Sequence, residues 1–150
     1  MKSVICFMIL FLANQFAFAR GPELFQIRSI CEQGGHGCVK ITSGQNSQEL
    51  WVKNDSILTD LDIKKLAADY SGQPRLLMTL TKSGAHKLEE IVRSNMNQKV
   101  AIIYEGKLLA VPVIPESLKN NQLEIPGPMS SEQARDIEHK FKLSAVSAAD

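Results

Sequence analysis

The chain has 150 residues, 44% of them hydrophobic and 22% charged, which is enough to bury one core and fits a single domain. Seventeen Lys and Arg stand against sixteen Asp and Glu, for a formal net charge of +1. The basic residues are scattered, which argues against nucleic acid, whose affinity comes mostly from phosphate neutralisation by clustered cations, and against an anionic membrane surface.

Residues 1–19 read as a secretory signal peptide. Lys2 gives the positive start, Val4 to Ala13 the apolar stretch, and Ala17-Phe18-Ala19 the small-x-small cleavage site before Arg20. The apolar run falls short of the roughly 20 residues that a spanning helix needs. An uncleaved N-terminal anchor is the alternative. Cys6 lies at the front of the apolar stretch, the wrong end for lipid attachment. No second long apolar run follows. The mature form is therefore expected to have no stable membrane span and to be periplasmic or secreted.

Leu24 to Ile30 suits a strand with Phe25 and Ile27 on one face. Cys31 and Cys38 are the cysteines left after cleavage, and an even pair in an exported chain reads as a disulfide. It closes the loop EQGGHG and is expected to pin a hairpin between Ile30 and Val39, contributing about 2–3 kcal/mol in the loop-closure model. A metal held by Cys31, His36 and Cys38 is the alternative. The spacing C-x4-H-x-C matches no standard zinc pattern and lacks a fourth ligand, so no metal is assigned.

Val39 to Ile41 and Leu50 to Val52 are short strand candidates on either side of the polar turn TSGQNSQ. Trp51 is expected to be half-buried; a lone Trp without partner aromatics is a poor carbohydrate platform. Thr59, with Asp62 in capping-box spacing, reads as the start of a helix carrying Ile63, Leu66, Ala67 and Tyr70 on one face and ending at Ser71-Gly72 before Pro74. Arg75 to Leu80 is a nearly continuous apolar strand, expected to be covered on both faces. Thr81 or Ser83 caps the next helix, whose stripe is Ala85, Leu88, Ile91 and Val92.

Val100 to Tyr104 is the most strand-like run. Glu105-Gly106 joins it to Lys107 to Ile114 as a β-hairpin, since Gly accepts the positive φ of a tight turn. Pro112 lacks an amide donor, which makes the second strand an edge or bulged strand there. A polar loop from Pro115 to Gln122 follows, then a short strand from Leu123 to Ile125 and a turn at Pro126-Gly127-Pro128. Ser130 caps the last helix, with Gln133 in capping-box spacing and Ala134, Ile137 and Phe141 on its buried face. The expected organisation is signal peptide 1–19, one domain 20–143 and a fraying tail 144–150.

No catalytic set emerges. His86 and His139 sit among charged helix neighbours, Glu89 and Glu90 are consecutive and diverge, and no serine lies in a nucleophile elbow. Gly34-Gly35 with Gly37 is not followed by the Lys-Ser/Thr of a phosphate loop. The chain is expected to be no enzyme and to carry no cofactor. Strands, hairpin and helices interleave as in an α+β fold, a mainly antiparallel sheet with helices packed on one face in a ferredoxin-like arrangement.

The phrases TLTKSGAHKL, Asn95 with Lys99, VAIIYEG, LLAVPVI and the helix start Ser130-Ser131-Glu132-Gln133-Ala134 follow one another between Gly72 and Phe141. In this order they resemble the first periplasmic head subdomain of SecD, the membrane subunit that assists protein export. Leu24 to Leu58 matches only in element order, and the cysteine-closed loop departs from the family pattern. SecD continues into a bundle of membrane helices whereas this chain ends after one helix, so a freestanding exported head is expected. The resemblance implies contact with exported polypeptides or with components of the Sec translocation machinery, and no catalytic residue. The expected contact surface is the hairpin edge Leu108 to Ile114 with the following loop, through Leu109, Val111, Val113 and Lys119, because an edge strand offers unpaired amides to an extended chain. The alternative is a small exported structural or inhibitory protein with one dedicated protein partner.

Overall fold

A computed structural model describes residues 23–31, 35–43, 49–94, 99–115, 117–127 and 129–147. The expected signal peptide lies outside them, as do most of the TSGQNSQ turn, Asn95, Pro128 and the last three residues. Eight strands and two helices follow in the order β1 (Phe25–Ile30), β2 (Cys38–Thr42), β3 (Glu49–Thr59), β4 (Ile63–Asp69), β5 (Arg75–Leu80), α1 (Lys82–Ser94), β6 (Val100–Tyr104), β7 (Lys107–Ala110), β8 (Gln122–Ile125) and α2 (Ser131–Ser147). The strands form two antiparallel sheets, β2-β3-β1-β6-β7 and β4-β5-β8. This is the expected α+β class, with the antiparallel strands divided between two sheets.

The main core lies between the sheets and the helices. Phe25, Ile27 and Leu58 from the larger sheet meet Leu66, Leu76, Met78 and Ile125 from the smaller one. Leu88 and Val92 of α1 and Ala134, Ile137 and Phe141 of α2 complete it. Phe25 stacks at a tilt on Tyr104, with ring centroids 5.0 Å apart, and meets Phe141 edge-on at 6.1 Å.

The opposite face of the larger sheet has a smaller core of its own, made of Val52, Ala101, Ile103 and Leu108, with Val39, Ile41 and Val111 against it. β6 serves both. Val100 and Ile102 enter the main core, and Ala101 and Ile103 the second. Side chains alternate across a strand, so an unbroken apolar run such as VAIIY is what a strand covered on both faces requires. The sheet is rolled far enough that its edge strands touch: Ser43, just past β2, bridges Leu108 on β7 in parallel.

Several expectations need correction. The helix expected from Thr59 to Tyr70 is one 3-10 turn, Asp60–Asp62, followed by β4. The cap spacing is present, with the Thr59 amide donating to Asp62 Oδ2 at 3.2 Å. Ile63 and Leu66 are both buried although three residues apart, because the ladder to β5 shifts register between Ile63 and Lys65. That bulge puts the extra residue on the strand and mimics a helical stripe. Secondly, β1 and β2 form no hairpin. Both pair with β3, one on each side. Thirdly, β5 is not fully covered: Leu76, Met78 and Leu80 are buried, whereas Leu77 and Thr79 are half-buried. Fourthly, β3 runs eleven residues, well past Val52, through the polar stretch Lys53 to Ser56. Its ladders to β1 and β2 outweigh the weak strand propensity of those residues. At the C-terminus, α2 continues to Ser147, into the segment expected to fray.

Thr81 starts α1: its Oγ1 accepts the Gly84 amide at 3.0 Å. Here the 3-10 turn presses on the helix. A Cβ on Gly84 would lie 2.8 Å from the Asp62 carbonyl oxygen and 2.9 Å from Asp62 Cβ. The glycine of the phrase KSGAHKL is therefore a contact requirement, and Lys87 Nζ adds an ion pair to Asp62 Oδ1 at 2.9 Å.

Candidate functional site: a hairpin edge and its cleft

The β6–β7 hairpin turns at Glu105 (φ 47°) and Gly106 (φ 76°). Two successive positive φ values make a turn whose twist matches that of the strands. β7 ends at Ala110, short of the expected Ile114. Pro112 breaks the ladder, yet its carbonyl accepts the Val100 amide at 3.3 Å and Val113 bridges Lys99, so the segment still follows β6. Ile114 is fully buried and anchors the loop to the main core. Leu118 is buried as well, and its amide donates to Glu89 Oε1 on α1 at 3.1 Å. Lys119 follows in a 3-10 turn and is exposed.

The four residues expected to contact a partner thus differ in position. Leu109 is half-buried against the main core, and Val111 half-buried against the second. Val113 is 60% exposed. Lys119 is exposed on the loop beyond. β7 is an edge strand of its sheet, but at Leu108 its outer side meets Ser43.

Sequence reasoning missed the cleft beneath this hairpin. About 290 Å³ in volume, it is lined by Tyr104, Glu105 and Leu109 from the hairpin and by Gln133, Asp136 and Ile137 from α2. The Tyr104 hydroxyl is buried with no hydrogen-bond partner among the described residues. Burial pushes its pKa up, and the neighbouring Glu105 carboxylate adds to the rise. Lys140 reaches across the rim, 3.3 Å from Asp136 Oδ2 and 3.4 Å from Glu105 Oε1. Its hydrogen bond to Asp136 is the main cause of its raised pKa. Only the i,i+4 spacing of Asp136 and Lys140 was readable in the sequence. Their reach to Glu105 depends on how α2 crosses the hairpin.

The charged groups, Glu105, Asp136 and Lys140, pair with one another rather than converging on a vacant point. Among the described residues, no three His, Cys, Asp or Glu side chains gather where a metal could sit. Cys31 and Cys38 are bonded to each other, their Cα atoms 6.6 Å apart. Also among the described residues, no helix is long and apolar enough to cross a membrane.

Residues 38–148 match the family model of the SecDF P1 head subdomain. The chain belongs to the SecDF P1 head family. It is 35% identical over 83 residues to the protein translocase subunit SecDF of Thermus thermophilus, a stretch covering 54% of this chain and 11% of that protein. It is 30% identical over 107 residues to the subunit SecD of Sebaldella termitidis, covering 71% of this chain and 26% of the relative. It is likewise similar to the SecD of Acidaminococcus fermentans, 31% identical over 90 residues that cover 59% of this chain and 21% of the relative. The chain thus spans between about a tenth and a quarter of the length of these relatives. In fold it is similar to the solved structure of a membrane component SecDF that enhances protein export, with a TM-score of 0.60, 23% identity, and coverage of 79% of this chain and 61% of that one. The matched region takes in everything from β2 through α2, including the hairpin, the cleft and the Gly84 contact.

Proposed function

We propose that this chain is a non-enzymatic binding domain that works on the outer side of the membrane, where its SecDF-type head contacts polypeptides during export or the components that export them. The carrying observation is the family match over residues 38–148. The paired charges of the cleft and the stretch of edge strand beyond Leu108 suit a binding role better than a chemical one. The contact surface is the β7 edge with its continuation to Val113 and the Lys119 loop. Extended chain fits it because a strand edge offers backbone amides and carbonyls that another extended backbone can pair.

The test is photo-crosslinking in cells from a benzophenone amino acid at Lys119 and, separately, at Val113, with adducts identified by mass spectrometry. A spread of exported proteins or Sec components is the expected result. One dominant adduct unrelated to export would replace this reading with the dedicated-partner one. Val113→Asp should reduce the adducts formed from Lys119 while leaving the circular dichroism native. Leu109 and Val111 are unsuited to that control, since a charge at either would disturb a core.

A further inference from the structure

Cys31 follows the last residue of β1, and its amide donates to the Trp51 carbonyl of β3 at 3.0 Å. Cys38 opens β2 and pairs with Lys53 on the other side of β3. The disulfide therefore links the two neighbours of β3 across it. In a flat sheet those positions would be two strand spacings apart, roughly 9.6 Å, and further still for their two-residue offset along β3. Here the Cα atoms are 6.6 Å apart. The covalent link spans the sheet where it curls. At the far end of β2 the same curl brings Ser43 onto Leu108 and closes the outer side of β7 there. The intervening side chains, Val39 and Ile41 of β2 with Leu108 and Val111 of the hairpin, share the second core.

We infer that the Cys31–Cys38 disulfide is a latch: oxidised, it holds β2 over the β7 edge, and reduced, it lets β2 withdraw and bares that edge to an extended polypeptide. Only the identity of the occupant rests on the proposed function; the latch itself does not. Both cysteines are half-exposed, within reach of a dithiol reductant. The thiolate of such a dithiol attacks one sulfur of the bridge. The S–S bond breaks, the other cysteine leaves as a thiolate and takes up a proton, and a mixed disulfide remains. The second thiolate of the reductant then displaces the first cysteine, which also becomes a thiol. The reductant ends as a disulfide, having given two electrons to the protein.

Peptide-resolved amide hydrogen exchange tests the latch without any binding readout. Oxidised protein is compared with protein held in excess dithiothreitol and with the Cys31→Ser/Cys38→Ser double variant. Opening should raise exchange across 107–113 and 38–43 on the order of tenfold, while β5 and α2 keep their oxidised rates. Unchanged exchange over 107–113 with both thiols free would overturn the latch and leave a plain staple. A uniform rise throughout the protein would overturn it equally, as global loosening. If the double variant does not fold, chemical reduction of the native chain reads the same quantities. Failure of the crosslinking experiment would leave these outcomes untouched.

Discussion

Individual side chains fix how the pieces meet. Gly84 is the clearest case, since helix α1 packs its first turn directly on Asp62. Gly84→Ala must push either the helix or the 3-10 turn aside, at a cost of roughly 1–3 kcal/mol. A urea titration should show a lower midpoint with an unchanged slope. Asp60 holds the start of β1, accepting the Leu24 and Phe25 amides, each at 2.7 Å. Asp60→Ala leaves both donors without that acceptor and should lower stability by about 1–3 kcal/mol, read in the same titration. Asp69 gives a pH signature. The Ser71 amide, followed by the Arg75 guanidinium, lowers its pKa from 3.8 to about 2. Arg75 extends the pairing to Glu124 at 2.8 Å, tying β4, β5 and β8 together. A carboxylate depressed in the folded state adds stability above its unfolded pKa, and that stability is lost as pH falls through the folded value. The native chain should therefore lose this contribution between about pH 4 and pH 2. Asp69→Asn should lack that component of the acid slope, while a slope identical to the native one would remove Asp69 from the network.

At the scale of elements, legibility followed the local character of the signal. β6 and its hairpin could be read because the information is contiguous: five apolar residues, then Glu105-Gly106 at the positive φ positions. The start of α2 could be read for the same reason, and Ser130 Oγ does accept the Gln133 amide at 3.1 Å. β4 was misread because a bulge gives Ile63 and Leu66 a helical spacing, and only the register with β5 decides between the two. The contact edge was legible as an edge through Pro112, but Ser43 bridging Leu108 is a long-range pairing with no local sequence signal. Glu138 likewise reaches from α2 to the Ala68 amide at 3.3 Å, covering the outer side of β4, and its pKa is lowered chiefly by Lys142. Removing it by Glu138→Ala should speed amide exchange at Ala68 while leaving β5 protected, since only the outer side of β4 loses its acceptor.

For the whole molecule, the two cores raise the question of whether the rolled sheet can melt apart from the rest. They are joined through β6, whose alternate residues enter different cores, and through β1 and β3, which pair along most of their length. Unfolding the second core would therefore strip the cover from Ala101 and Ile103 while Ile102 remained packed, leaving an interior strand of the sheet half-supported. That intermediate is costly, so the described fold, with its disulfide intact, should unfold in one cooperative step. Ile102→Ala and Ile103→Ala sit on opposite faces of the same strand, and each removes a buried side chain worth about 2–5 kcal/mol. Trp51, half-buried on β3 of the rolled sheet, reports on that sheet, and far-ultraviolet circular dichroism reports on the helices as well. In the native chain and in both variants the two probes should give coincident urea transitions, with both midpoints shifted down together. A Trp51 transition that precedes the loss of helix, above all in Ile103→Ala, would show the rolled sheet to be a separate cooperative unit and would place the β7 edge on the part of the molecule that opens first.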